Sequence, residues 1–156
     1  EKLALYAQGQ GSVSLDDVEA VVSDVAGSVL NTLIDAAFAG RSGEVERDYR
    51  RFRHEGMDPS VMLGSALRHA LTLLATRLAG EGQSPSLMVA NWRGLHFRRK
   101  ALVETQLARW SPPALRHAVQ LLQDSVLACR RATPDLAHAH ASSTLLRIAG
   151  EAARRR

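Results

Sequence analysis

The chain has 156 residues, with 46% hydrophobic and only 4% aromatic side chains. That is enough for one domain with an aliphatic core, and it excludes a disordered chain. The formal charge of +4 is unevenly spread: residues 1–40 carry one Lys and six acids, whereas Arg dominates the remainder. A basic body beside an acidic start fits either a polyanionic or acidic partner or a solvated Arg-rich surface. Cys129 is the single cysteine. No disulfide can form within the chain, which suits a reducing cytosol, and Cys129 falls at the apolar spacing of its segment as a small core residue. No secretory or membrane-spanning stretch is evident, so a cytoplasmic location is expected.

Glu1 to Tyr6 begin in a helix-like pattern with no cap and no initiating Met. The chain is therefore expected to be a fragment of a longer protein. Ser14 reads as an N-cap, followed by Asp16, Asp17 and Glu19 in the first turn, where acids favour the helix dipole. Helices are predicted over 14–25 and 28–39, separated at Gly27 and stopped at Gly40. Ser42 is expected to cap a helix over 42–55, with Val45, Tyr49 and Phe52 on one face and Arg47, Arg50, Arg51 and Arg53 largely opposite.

Asp58-Pro59 opens the clearest helix, 58–79, on which Leu63, Leu67, Leu71, Leu74 and Leu78 follow the helical period. Ser84-Pro85 restarts a short segment to about Asn91, and a basic helix is predicted over 96–109. Ser111-Pro112-Pro113 opens a helix over 112–131. Pro134 opens the last, 134–150, with Leu136, Leu145, Leu146 and Ile148 as its apolar residues. Leu63, Leu67, Leu71, Leu74, Leu115, Val119 and Leu122 are the expected core. No segment alternates with period two, so the fold class is all-α, a multi-helix bundle.

Chemistry-bearing motifs are missing. There is no phosphate loop ending in Lys-Ser or Lys-Thr, and Gly80-x-Gly82 lacks the rest of a dinucleotide fingerprint. His138 and His140 are two apart, which separates them around a helix, so no metal site is expected. Asp16-Asp17 and Glu44/Glu46 sit at helix starts and need no acid–base role. Neither a catalytic residue nor a cofactor is expected.

The cluster His96-Phe97-Arg98-Arg99-Lys100 is the candidate site. Consecutive residues on a helix are about 100° apart, so three adjacent cations cannot share one face. Cations can reach phosphates and a flanking ring can stack on a base. The competing reading makes Phe97 core and the arginines a solvated rim.

Several segments together resemble a known family. These are Leu15-Asp16-Asp17-Val18-Glu19-Ala20-Val21-Val22, Asp35-Ala36-Ala37-Phe38-Ala39-Gly40, and Leu67-Arg68-His69-Ala70-Leu71 preceded by Glu55-Gly56-x-Asp58-Pro59. Phe97-Arg98-Arg99-Lys100, Gln106-Leu107-Ala108-Arg109-Trp110-Ser111 and Leu115-Arg116-His117-Ala118-Val119-Gln120-Leu121-Leu122 complete the ordered set. In that order they resemble the C-terminal helical collar of the bacterial DNA polymerase III delta subunit, part of the clamp loader. The resemblance implies a scaffold without catalysis of its own, belonging to the DNA polymerase III holoenzyme. It implies the end of a preceding AAA+ lid region and linker over 1–12, and a collar over 13–156. Its partners would be the gamma/tau and delta-prime subunits through the collar, the sliding clamp through an N-terminal domain outside this sequence, and primer–template DNA in the full complex, which the 96–100 cluster would face. The rival readings are a free-standing helical nucleic-acid-binding module and a small helical enzyme or carrier.

Overall fold

The computed structural model describes the backbone of residues 15–155 and the side chains of 27–155. Seven α-helices and one short 3-10 turn make up the described residues, with no strand among them. They are α1 (Leu15–Ala39), α2 (Ser42–His54), α3 (Pro59–Ala79), α4 (Pro85–Ala90), α5 (Lys100–Arg109), α6 (Pro112–Arg131) and α7 (Pro134–Arg154); the 3-10 turn is Phe97–Arg99. None of the described helices is long and apolar enough to cross a membrane. The chain divides into two compact units, Glu1–Thr32 and Leu33–Arg156. In the first, the described residues continue α1, and the Thr32 hydroxyl donates to the Val29 carbonyl at 2.6 Å.

Local chemistry explains where most helices begin. α3, α4, α6 and α7 each start with Pro after an extended residue, the conformation that a following Pro imposes. Asp58 accepts from the Ser60 amide at 2.7 Å, Ser84 from Leu87 and Ser111 from Ala114. Each satisfies an amide that the first turn leaves without a partner. At the start of α2 the flanking residue is Arg41, not Ser42, and it makes no side-chain cap. The predicted Ser14 cap, and the lid and linker expected over 1–12, lie outside the described residues.

Gly27 does not interrupt α1, which runs through it as one helix. A single interior Gly costs a helix only about 1 kcal/mol, too little to overrule 25 residues of continuous hydrogen bonding. Gly40 does stop it: φ is +81° there, and a Cβ would stand 2.8 Å from the Ala153 amide nitrogen.

In the second unit, Leu33, Ile34, Ala36, Ala37 and Phe38 are buried on every side of the last turns of α1, which marks a central helix segment. α6 packs on α3 and α7; α7 also covers α2 and α3, and α4 packs on α5. Leu115, Leu122, Leu145, Ile148 and Trp110 are fully buried in this core.

The expected leucine stripe of α3 is corrected. The helix buries Met62, Leu63, Ala66, Ala70 and Leu73. Leu67 and Leu74 are half-buried, while Leu71 and Leu78 are 43% and 48% exposed. The apolar face of α3 is about half a turn wide, and the bundle covers the side with the small alanines, where helices approach closest. Val119 is only half-buried, and Leu136 is 51% exposed at the first turn of α7. The helix predicted over 96–109 is not one helix either: His96 is extended, and α5 begins at Lys100 after the 3-10 turn.

Candidate functional site

A buried polar network lies under the 3-10 turn. Asp35, on the central segment of α1, is 4% exposed. The Arg99 guanidinium donates to it twice, from Nε to Oδ2 at 2.8 Å and from Nη2 to Oδ1 at 3.0 Å. Gln106 Nε2 donates to the same Oδ1 at 3.1 Å. The Gln106 Oε1 is then free to accept, and His69 Nε2 stands 2.7 Å from it. The chain of donors is consistent with a neutral His69 protonated on Nε2. Burial lowers the His69 pKa below its ordinary value; the Gln106 hydrogen bond and the Asp35 charge oppose that effect only in part.

The aromatic side of the network closes it. Phe38 meets His69 edge-on at 5.1 Å and lies 5.3 Å from Trp110 with the planes tilted by 51°. Trp110 Nε1 donates to the Phe38 carbonyl at 2.9 Å, and Arg109 donates to the Ala39 carbonyl at 3.0 Å. Carbonyls at the end of α1 thereby gain partners that the helix itself cannot supply. The network is internally satisfied, so it reads as a structural clasp that fixes the turn above it.

The turn splays the candidate cluster in two directions. Arg99 points inward to Asp35. Phe97 points outward and is 70% exposed, so the reading of Phe97 as core is excluded. The His96 ring stacks on Phe97 at 4.7 Å with 27° between planes, and the Arg98 guanidinium lies 5.6 Å from the Phe97 centroid. His96 Nδ1 also accepts from the Arg98 amide at 3.3 Å, which holds the turn's first residue in place. Lys100 is exposed at the start of α5. Two rings and two cations are thus displayed on a short turn whose base is clamped by Arg99. Such a surface can stack an unpaired base and contact phosphates.

Other candidates resolve differently. Cys129 is buried between α6 and α7, with its thiol directed to the Ala137 carbonyl at 3.3 Å. Burial pushes that thiol's pKa up, which disfavours the nucleophilic thiolate. His138 and His140 are separated: His138 Nδ1 lies 2.9 Å from the Tyr49 hydroxyl, which donates to the His138 carbonyl at 3.0 Å, and His140 is exposed. Burial raises the Tyr49 pKa. Among the described residues, no group of His, Cys, Asp and Glu is placed to hold a metal ion.

Sequence reasoning reached His96 to Lys100 but missed Asp35, His69 and Gln106 as a set. The one available signal was a lone Asp inside the apolar run Leu33-Ile34-Asp35-Ala36-Ala37-Phe38, since a buried carboxylate demands a partner. Comparison of the chain with protein-family models, with curated proteins and with solved structures finds no match.

Proposed function

We propose that this chain is a helical scaffold of the bacterial clamp-loader delta type, packing with other loader subunits so that the sliding clamp is loaded on primed DNA. One observation carries the reading. Four of the segments that bear the resemblance meet in one clasp: Asp35 and Phe38 from the first, His69 from the second, Arg99 from the third, and Gln106, Arg109 and Trp110 from the fourth. Residues scattered over the sequence thus share one structural task, which supports reading those segments as one ordered set. The test is assembly: mixed with the collar portions of the motor and delta-prime subunits, the chain is expected to elute as a larger species on a sizing column. Separate monomers in every pairwise and triple mixture would refute it.

A free-standing nucleic-acid-binding module is the second reading, favoured by the exposed Phe97 between His96 and Arg98. It requires appreciable DNA affinity from the chain alone, with a steep salt dependence. The scaffold reading instead places DNA contact within the assembled loader. Both readings predict no nucleotide binding, so calorimetry with ATP and Mg²⁺ should register no saturable heat.

A further inference from the structure

Leu67, Leu71, Leu74 and Leu78 follow a four-three-four spacing along α3. That is the spacing of a seam on which a second helix packs with side chains interlocked. The bundle uses the neighbouring face of α3 and leaves this one open: Leu71 and Leu78 are 43% and 48% exposed. Arg68 and Arg77 occupy positions flanking the seam, and α3 contains no Asp or Glu. Neither arginine has a salt-bridge partner among the described residues. The Arg77 side chain is half-buried and carries its charge at the edge of this face.

We infer that the Leu67–Leu78 seam of α3 is a docking surface for an amphipathic helix of another protein, apolar at four-three spacing and flanked by Asp or Glu. Charge selects this occupant over the same seam of a second copy of the chain. Two copies would gather four guanidiniums and no carboxylate around one seam, whereas an acid-flanked helix gives each arginine a partner. The apolar seam supplies the area and the rim supplies the choice of partner. The inference deepens the scaffold reading and rests on it for the partner's being a protein chain.

The test uses the whole chain and a synthetic helix with Leu at four-three spacing and Glu at every flanking position, which keeps the peptide from pairing with itself. A second peptide carries Lys at the same flanks. Fluorescence anisotropy is expected to show saturable binding of the Glu peptide and at least about tenfold weaker binding of the Lys peptide. Leu71→Glu should reduce binding of the Glu peptide by a similar factor while leaving the thermal melt unchanged, because the side chain is exposed. Arg68→Glu should shift preference towards the Lys peptide, and it keeps the test decisive if Leu71→Glu fails to fold. Equal binding of both peptides, no binding of either, or full binding by the folded Leu71→Glu chain would overturn the inference. So would self-association of the chain that Leu71→Glu abolishes, since a second copy would then be the occupant. If Leu71→Glu assembles normally with the loader collars, this surface falls and the scaffold reading stands. If the native chain binds the Glu peptide but joins no collar mixture, the scaffold reading falls and the surface stands.

Discussion

Asp35 accepts three hydrogen bonds from two side chains in a site almost closed to water. Removing one partner of a buried pair leaves the other charge uncompensated, at a cost of about 3–5 kcal/mol. The Arg99 side chain keeps 25% of its exposure, so water softens the loss. Asp35→Ala should therefore destabilise the chain by about 3 kcal/mol in urea unfolding; a change below about 1 kcal/mol would show that the clasp is dispensable. His69 adds a pH dependence. Its folded pKa lies below the ordinary value of 6.5, so below about pH 6.5 the unfolded chain binds a proton that the folded chain refuses. Stability should accordingly fall as pH drops from 7.5 towards 5, by up to about 1.4 kcal/mol per pH unit from this group. His69→Gln should flatten that portion of the slope, whatever its effect on absolute stability. An unchanged slope would place the proton elsewhere.

At the scale of helices, burial decides what a substitution costs. Leu115 is fully buried and Leu71 is 43% exposed, although both were equally plausible core from spacing. Leu115→Ala should cost about 2–5 kcal/mol, whereas Leu71→Ala should cost at most about 0.5 kcal/mol. Comparable losses in thermal unfolding would contradict the observed face of α3. Gly40 is a second element-level constraint. Its φ of +81° already penalises a side chain, and the atom a Cβ would strike belongs to the Ala153 backbone, which cannot swing away. Gly40→Ala should cost at least about 2 kcal/mol. These positions also show what the sequence could reveal. Pro and its capping residue act within a few residues, so the starts of α3, α4, α6 and α7 were legible. Apolar period locates a helix face without saying which half of a wide face a neighbour will cover, so Leu67, Leu71 and Leu74 were misplaced. Gly27 read as a break because local propensity ignores the hydrogen bonding on both sides. The Phe97 cluster was visible as charge beside an aromatic residue, but its division between Arg99 inside and the rest outside depends on Asp35, 64 residues away.

For the whole molecule, that division determines how the proposed DNA contact must be tested. Changing Arg98, Arg99 and Lys100 together would mix two effects, because Arg99 holds α1 to the base of the turn. Phe97, Arg98 and Lys100 can be changed to Ala with Arg99 kept, and all three are exposed. The clasp and core should survive, so the variant should melt like the native chain and join the same assemblies. On the proposed reading, its effect is on DNA binding. Each phosphate contact contributes about 0.9 to the slope of log affinity against log salt on duplex DNA, so loss of two cations should lower the slope by about two units. Loss of the ring should weaken binding to single-stranded more than to fully duplex ends, since only an unpaired base can stack on it, at about 1–3 kcal/mol per base. Both are measured by titrating a primed template into native and variant chains, or loaders containing them, at several salt concentrations. Unchanged affinity and slope would leave the cluster as a solvated surface. A variant that no longer assembles would assign the cluster to a protein contact instead. Arg99→Ala provides the contrast: it should lower the melting temperature, because it opens the buried clasp.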